Sequence, residues 1–300
     1  MSDDSLLQNW ATQSERGSLP LIKLGVWLAR KMGRRLARLF LYPICLYFLL
    51  SSAHAARNSR LYLQRVLGRT VRLADVFRHY LTFGACVLDR VFLLNDEIEQ
   101  FDITIHGEDI LRDIQRRGGG CILMGAHFGS FEVTRAVGRR ERDVPISLLM
   151  YEENARKIRA ALAAINPALE TEVIGLGRLD SLIAVADRLS RGHFIGVLAD
   201  RNVEGKDLVR YDFLGAPAAF PRGPFRVAML LQRPVVLMIG VYRGGRRYEV
   251  FFESLVEGGG ARPRDPNAWL DDLMRRYVAR LEHYCRTAPF NWFNFYDFWA

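Results

Sequence analysis

Short, almost uninterrupted apolar runs that alternate with amphipathic stretches constrain this chain more than any other feature. Residues 120–125 read GCILMG, residues 144–150 read VPISLLM and residues 193–199 read HFIGVLA, and helical patterns separate these runs. Strands that are apolar on both sides belong to parallel sheets whose two faces are covered by helices. We therefore predict one α/β domain over residues 75–300, with a mostly parallel central sheet and helices on both faces.

The remaining elements of this domain follow from periodicity and from residues that start or stop helices. We predict helices that begin near Asp75, Glu108, Ser130, Glu153, Asp180, Gly223 and Pro266. We predict further strands over 101–105, 172–174, 234–241 and 248–254. The last two strands are expected to form a hairpin.

The N-terminal quarter differs from the rest of the chain in its charge. Between Arg16 and Ala74 the sequence has twelve basic residues and no Asp or Glu, whereas the net charge of the whole chain is +9. The rest of the chain is therefore nearly neutral, which argues against a uniformly basic nucleic-acid-binding protein. Hydrophobic residues make up 50% of the chain, a globular balance that excludes global disorder.

An uncharged segment from Leu39 to Ala56 lies inside this basic quarter and has about the minimum length of a membrane-spanning helix. Pro43 interrupts its apolar part, and basic residues flank it on both sides. Symmetric flanks favour a segment that dips into one leaflet over one that crosses both. We expect residues 1–74 to form helices that anchor the protein to a membrane from the cytoplasmic side. A cleaved signal peptide and a buried helix of a soluble domain remain alternatives.

Neither the cysteines nor the common catalytic motifs indicate a metal, redox or hydrolase site. The four cysteines lie far apart, and no C-x-x-C pair occurs, so we predict reduced core residues and neither a zinc site nor a redox motif. Neither H-E-x-x-H nor G-x-S-x-G is present, which disfavours a metallohydrolase and a serine hydrolase. We expect no metal and no organic cofactor.

Two polar clusters follow predicted strands. His127 and Glu132 lie in the segment after the strand at 120–125, and Asp200 and Arg201 follow the strand at 193–199. Because ligands of open parallel sheets bind outside the carboxyl ends of the strands, we expect both clusters at one edge of the sheet.

The first cluster has the spacing H-x-x-x-x-E, with Gly129 allowing the chain to bend back between the two residues. A neutral imidazole can take a proton from a hydroxyl, and a carboxylate on its other nitrogen fixes the tautomer. This pair lacks a protein nucleophile and suits direct attack of an acceptor hydroxyl on a thioester. In the alternative reading, Glu132 interacts with the dipole of a helix N-terminus and His127 is a polar loop residue.

Three ordered blocks resemble a known family. The stretch GAHFGSFE at 125–132 resembles the H-x-x-x-x-[D/E] motif of glycerolipid-type acyltransferases and, more closely, the N-H-F-G-N-W-E motif of the late acyltransferases of bacterial lipid A biosynthesis. The stretch GVLADRN at 196–202 resembles the second block of that family, and FLGAPAAFPRGP at 213–224 resembles its F-F-G-x-x-A-x-x-x-x-G-P block. The basic, apolar N-terminal segment is similar to the membrane anchor of the family.

The resemblance implies transfer of an acyl group from acyl carrier protein, or from acyl-coenzyme A, to a hydroxyl of a lipid or glycolipid at the bacterial inner membrane. It implies that His127 is the general base and that Glu132 is its partner. It implies that the substrate is contacted by Phe128, Gly129, Ser130, Asp200, Arg201, Phe213, Gly215 and Pro221. For Arg201 the alternative is a salt bridge to Asp200 or Asp212, and for the last three residues it is packing in a loop.

Two departures from the family bear on the acceptor. The family's Tyr-Arg-Pro is replaced by Tyr151 and Glu152, and its C-terminal His-Arg-Arg is replaced by an aromatic segment over 291–299, for which packing is expected. Both changes remove cations that would suit a doubly phosphorylated sugar lipid, which favours a related envelope lipid as acceptor. The basic N-terminal surface is a candidate binding site for the acidic acyl carrier protein. The alternative function is a noncatalytic, membrane-bound lipid carrier.

Overall fold

The computed structural model of the chain describes residues 19–142, 145–151, 160, 162–166, 173–176, 179–201, 207–258 and 264–300. In chain order its α-helices are α1 (Leu19–Ser51), α2 (Ala53–Leu67), α3 (Leu73–Leu93), α4 (Glu108–Arg116), α5 (Phe131–Arg142), α6 (Leu179–Ser190), α7 (Gly223–Leu231) and α8 (Pro266–Thr287). Its strands are β1 (Asp102–His106), β2 (Ile122–Gly125), β3 (Ile146–Tyr151), β4 (Val173–Leu176), β5 (Phe194–Leu198), β6 (Leu208–Phe213), β7 (Ala216–Pro221), β8 (Val235–Gly244) and β9 (Arg247–Val256).

Seven of the described strands form one sheet in the order β1-β9-β8-β2-β5-β3-β4. The five strands from β8 to β4 are parallel to one another, β9 is antiparallel to β8, and β1 is parallel to β9. The prediction of an α/β fold with a mostly parallel sheet is confirmed. The reversed direction of β1 was not predicted, because periodicity identifies a strand without identifying its neighbours.

The sheet separates two hydrophobic cores. Along β2, Ile122 and Met124 belong to one core and Leu123 to the other, as expected of a strand whose successive side chains point to opposite faces. The first core also contains residues of α7 and α8, and the second contains residues of α3, α4 and α5. Both faces of the sheet are therefore covered, which explains why β2 and β5 are apolar along their whole length.

Most predicted elements occur within a few residues of their expected positions. Helix α3 begins two residues before Asp75, whose carboxylate lies in the first turn and accepts the backbone N–H of Arg72 at 2.9 Å. The helix expected from Glu153 lies mostly outside the described residues, although residues 160 and 162–165 are helical. The predicted β8–β9 hairpin is confirmed.

The hairpin of β6 and β7 was not predicted. The prolines at positions 217 and 221 argue against a strand in sequence, but the strands form a separate two-stranded sheet in which a missing N–H is tolerated. Leu214 and Gly215 connect them with positive φ angles of 52° and 79°, the conformation of a tight two-residue hairpin turn. The backbone N–H of Leu214 donates to the Glu282 carboxylate on α8 at 2.8 Å, which fixes this turn on the domain.

Helix α1 buries only a narrow stripe and leaves much apolar surface exposed. Val26, Ala29, Ala37, Cys45 and Leu49 are buried at helical spacing. Large apolar side chains on the remaining faces are more than a third exposed, namely Leu24, Trp27, Leu28, Leu36, Leu39, Phe40, Tyr42, Ile44, Leu46, Tyr47, Phe48 and Leu50. Within the described chain no helix by itself has the length and apolarity of a membrane span. The pair Lys23–Ser51 and Ala53–Leu67, bent by 99°, satisfies these two criteria only when taken together.

A buried ion pair attaches α1 to α3. The guanidinium of Arg34 donates to both carboxylate oxygens of Asp89, at 2.7 and 2.9 Å, and Asp89 is fully buried. The hydroxyl of Tyr248 donates to the same carboxylate at 2.8 Å, and the guanidinium lies 4.6 Å from the ring centre of Phe101. Both oxygens of the buried carboxylate therefore have hydrogen-bond donors, as a buried charge requires.

We expect Asp89→Asn to destabilise the protein by about 3 kcal/mol or more, because it leaves the Arg34 guanidinium buried without its counter-charge. The control is Asp102→Asn, which removes an exposed ion pair with Arg246 and should cost less than about 1 kcal/mol. The measurement is urea denaturation of both variants in detergent. Equal losses of stability in the two variants would contradict the role of the buried pair.

Candidate active site

The candidate site lies in the segment that joins β2 to α5, which is held between β8 and the C-terminal segment. Gly129 has φ = 54°, and a Cβ atom at this position would lie 1.8 Å from the carbonyl oxygen of Gly240 in β8. Only glycine permits this approach, in which the N–H of Ser130 donates to the same carbonyl at 2.9 Å. Ser130 in turn accepts the N–H of Val133 at 3.4 Å and so precedes α5 as a capping residue.

The expected juxtaposition of the two polar clusters is observed, because β2 and β5 are adjacent parallel strands. Nδ1 of His127 lies 2.8 Å from Oδ1 of Asp200, and the backbone N–H of His127 is 3.1 Å from both carboxylate oxygens. An ionised carboxylate only accepts hydrogen bonds, so Nδ1 carries the proton. The lone pair is then on Nε2, for which no partner occurs among the described residues. The side chain of His127 is 36% exposed.

The C-terminal residues supply a third donor to Asp200. The indole N–H of Trp292 donates to Oδ2 of Asp200 at 3.0 Å. The backbone of the same segment pairs with residues 126–130, which join β2 to α5 and carry the predicted general base, and which we therefore call the catalytic loop. Gly129 donates to the carbonyl of Asn291 at 2.7 Å, and Phe293 donates to the carbonyl of His127 at 2.9 Å. We call residues 291–299 the C-terminal strap.

The electrostatics of the site favour a neutral imidazole beside an ionised carboxylate. Burial and then the positive charge of Arg201 lower the pKa of His127 below its usual 6.5, and Asp200 opposes this shift. Burial by itself would raise the pKa of Asp200, but the charge and hydrogen bond of His127, the charge of Arg201 and the Trp292 hydrogen bond together lower it to about 2. At neutral pH, His127 can therefore accept a proton.

The structure changes the predicted role of Glu132. Its Oε1 lies 2.9 Å from Nε of Arg90 on α3, and no described contact joins Glu132 to His127. The carboxylate that orients the imidazole thus belongs to Asp200, which lies 73 positions away in the sequence. Glu132 lies in the first turn of α5, where its side chain points to the neighbouring helix α3. Among the described contacts, His127 is therefore paired with Asp200 and Glu132 with Arg90, and a catalytic role of Glu132 stays a prediction.

Arg201 is near the imidazole but is engaged with the strap. Its guanidinium donates to the carbonyl of Phe293 and lies 5.3 Å from the ring centre of Tyr296. Neither of the predicted salt bridges, to Asp200 or to Asp212, occurs among the described contacts of Arg201. Its effect on the site is the positive charge that it places close to His127.

The other predicted site residues divide into two groups. Phe128 and Ser130 lie beside His127 in the catalytic loop and are 3% and 2% exposed. Phe213 is fully buried and contacts the ring of Trp292, with 5.3 Å between the ring centres, so its connection to the site is indirect. Gly215 and Pro221 lie in the turn and at the far end of the β6–β7 hairpin, and no described contact joins them to His127. Direct substrate contact by these residues stays a prediction.

Sequence reasoning missed Arg90 and the catalytic-loop contacts of Trp292. Arg90 has no local signal, since it lies on a helix far from the motif. Trp292 belongs to an aromatic segment for which packing was predicted, and packing is confirmed, because Trp292 is 1% exposed. The described residues contain no group of three or more His, Cys, Asp or Glu side chains arranged to hold a metal ion.

The fold and the His127–Asp200 pair describe an α/β protein with an acid–base site at the carboxyl edge of a parallel sheet. The sequence profile of the bacterial lipid A biosynthesis acyltransferases matches residues 21–300, and the chain belongs to this family of acyltransferases. The resemblance seen in the three sequence blocks is thereby confirmed. A comparison with curated proteins gives no match.

We expect Asp200→Asn to lower the pKa of His127 further, because it removes the negative charge that favours the imidazolium. The measurement is an NMR titration of ring-labelled histidine in the full chain. Asp212→Asn, which removes an exposed carboxylate on β6, is the control and should leave the His127 titration unchanged. A higher His127 pKa in Asp200→Asn would contradict the assigned pair.

Proposed function

We propose that this protein is a membrane-associated O-acyltransferase that moves a fatty acyl group from a thioester to a hydroxyl of a lipid or glycolipid. The observation that carries the proposal is the partly exposed His127 side chain, which has a buried carboxylate on Nδ1 and no described partner on Nε2. Membership of an acyltransferase family supports the same chemistry. The proposed general base is His127, and Asp200 takes the orienting role that the sequence motif suggested for Glu132.

The proposed reaction needs no covalent enzyme intermediate. Ser130 supplies the hydroxyl within the motif, but it is buried and caps α5, which makes it a poor nucleophile. In the proposed step, the acceptor O–H gives its proton to Nε2 of His127 while its oxygen attacks the thioester carbonyl. The C–S bond then breaks, and the departing thiolate takes the proton back from the imidazolium. Asp200 stabilises the imidazolium between these two steps.

For the acyl donor we propose acyl carrier protein, with acyl-coenzyme A as the second candidate. Acyl carrier protein is acidic, and exposed arginines on α2 and beside it offer a complementary surface, including Arg57, Arg60, Arg65, Arg69 and Arg72. The acceptor we propose is an envelope lipid other than a doubly phosphorylated sugar lipid. Supporting this choice, Arg201 and Arg90 are both engaged within the protein, by Phe293 and Glu132.

We also propose that α1 holds the protein on the cytoplasmic face of the inner membrane. Its apolar side chains from Leu36 to Leu50 surround a buried stripe that is only one residue wide at each turn. An exposed apolar patch of this extent is unusual on a soluble monomer and typical of a lipid-facing surface. The non-helical backbone of Gly33 kinks the helix, and Pro43 lies within its apolar part, which suits a segment inserted into one leaflet.

We expect the wild-type chain to transfer radiolabelled acyl groups from acyl carrier protein, or from acyl-coenzyme A, into a bacterial total lipid extract. His127→Ala should lower this rate by about 10²- to 10⁴-fold, because it removes the general base. The measurement is thin-layer separation of the labelled lipids, and the identity of a new product gives the acceptor.

The matched control for this experiment is His106→Ala, which removes an exposed histidine on β1 and should retain the wild-type rate. Lipid binding without any transfer, in the wild type and in both variants, would refute the proposal and favour the noncatalytic carrier.

We expect the double variant Leu39→Glu/Leu50→Glu to bind anionic lipid vesicles at least roughly tenfold more weakly, because two apolar side chains that are 63% and 73% exposed become charged. The control, Ile183→Glu/Leu230→Glu, changes two exposed apolar residues on α6 and α7 and should bind as the wild type does. Vesicle co-sedimentation measures both. Equal loss of binding in the two variants would contradict an anchoring role for α1.

A further inference from the structure

We propose that Trp292 is a positioning residue for acyl transfer: its indole N–H holds the Asp200 carboxylate in line with Nδ1 of His127, and the C-terminal strap thereby completes the catalytic site. This inference rests on the proposed function, because Trp292 acts on the reaction only through the general base. It assigns a role to a segment that the sequence analysis treated as packing.

The first argument is that the strap is bonded to the catalytic loop on both sides of Phe128, the residue that follows His127. Residues 128 and 292 pair as in an antiparallel sheet, and the flanking bonds join Gly129 to Asn291 and His127 to Phe293. These bonds use the backbone of the loop itself. A displaced strap would therefore leave the Gly129 N–H and the His127 C=O without these hydrogen-bond partners, which is unfavourable.

The second argument concerns the Asp200 carboxylate, which is fully buried. It accepts hydrogen bonds from Nδ1 and the backbone N–H of His127 and from the indole of Trp292. Two of these three donors belong to His127 itself. The indole is the donor that comes from another segment, so it holds the carboxylate independently of His127 and helps to define where the imidazole must lie.

The third argument is that Trp292 is itself held in place from the other side. Its carbonyl oxygen accepts the Nε2–H of His79 at 2.9 Å, and Nδ1 of His79 lies 2.8 Å from the hydroxyl of Ser59. Burial lowers the pKa of His79 to about 4, so this imidazole is neutral and its two bonds have fixed directions. Helices α2 and α3 thus position the backbone of Trp292, and its indole positions Asp200.

The decisive experiment compares Trp292→Phe with Trp299→Phe in the full chain. Phenylalanine keeps an aromatic ring against Tyr62, Phe213 and Phe298 but has no N–H. Trp299 is a matched control, since it lies in the same strap and donates its indole N–H at 3.1 Å, but to the carbonyl of Phe213. We expect kcat to fall about 10- to 100-fold in Trp292→Phe, the factor expected for a lost hydrogen bond to a buried charge, and to change little in Trp299→Phe.

A pH profile separates positioning from a general loss of structure. Without the indole donor the negative charge of Asp200 is less dispersed and attracts the imidazolium more strongly, so the acid limb of kcat/KM should move to higher pH. The other titratable or charged groups that act on the pair are Arg201, Arg90, Tyr277, Cys285 and Tyr296, and both variants retain all of them. An unshifted limb in Trp292→Phe, or equal losses of kcat in both variants, would overturn the proposal.

Two further measurements keep the test decisive. If Trp292→Phe does not fold, replacement of the indole by benzothiophene retains the shape of the side chain and removes only the N–H. In an Asp200→Asn background, Trp292→Phe should cause no additional loss of kcat, and a full additional loss would show that Trp292 does not act through Asp200. If the proposed function fails, the wild-type chain shows no acyl transfer at all. In that case NMR still tests the bond between Trp292 and Asp200: the Trp292 indole N–H resonance should shift in Asp200→Asn, and that of Trp299 should not.

Discussion

The carboxylate of Asp200 carries a negative charge at a place that no solvent reaches, and the candidate site is built around that charge. An ionised carboxylate in the interior is tolerated only when donors surround it, since an unpaired buried charge costs several kcal/mol. The donors come from the loop after β2 and from the C-terminal strap, which are more than 150 positions apart in the sequence. Ionisation of Asp200 and assembly of these two segments are therefore mutually dependent.

A second buried carboxylate has the same effect on the N-terminal helices. Asp89 is held by Arg34 of α1 and by Tyr248 of β9, and its neighbour Arg90 is paired with Glu132 of α5. Helix α3 thus bonds to the anchor candidate on one side and to the helix of the catalytic motif on the other. It also carries His79, which binds the strap. The described part of α1–α3 therefore packs against the α/β domain and contacts the candidate site. A flexibly tethered anchor would not make such contacts.

The sequence was sufficient for the elements whose signal is local. The apolar runs of β2 and β5 predicted two buried parallel strands, and their common direction placed His127 and Asp200 at one edge of the sheet. The hydrogen-bond partner of each side chain could not be predicted in the same way, because it depends on which distant segments of the chain meet in the fold. The H-x-x-x-x-E spacing suggested a nearby carboxylate for His127, but the conformation of Gly129 turns the loop toward β8 and leaves Glu132 facing α3.

The β6–β7 hairpin and the strap were missed for a related reason. Two prolines in β7 are more typical of a loop than of a strand. They are tolerated because β7 has β6 as a neighbour on one side and no described strand on the other, so a missing N–H can face away from the pairing. The aromatic residues of the strap carry no catalytic signature, and the sequence correctly predicted that they pack. The direction of the Trp292 indole N–H could not be predicted from the sequence. It is set by contacts of Trp292 with Tyr62, Phe213 and His79, which belong to three separate elements.

The balance of charge around His127 gives a physical reason for the cations at this site. A general base must be neutral before it acts, yet it must hold a proton once it has taken one. Burial, Arg201 and Arg90 favour the neutral imidazole, and Asp200 favours the imidazolium. Both arginines exert this effect while bonded to other protein groups, so an acceptor with two phosphates would have to displace Phe293 or Glu132 from them and would disturb the base. An acceptor whose reactive hydroxyl enters the site without a phosphate beside it would leave this balance intact, which supports the proposed choice of an envelope lipid other than a doubly phosphorylated sugar lipid.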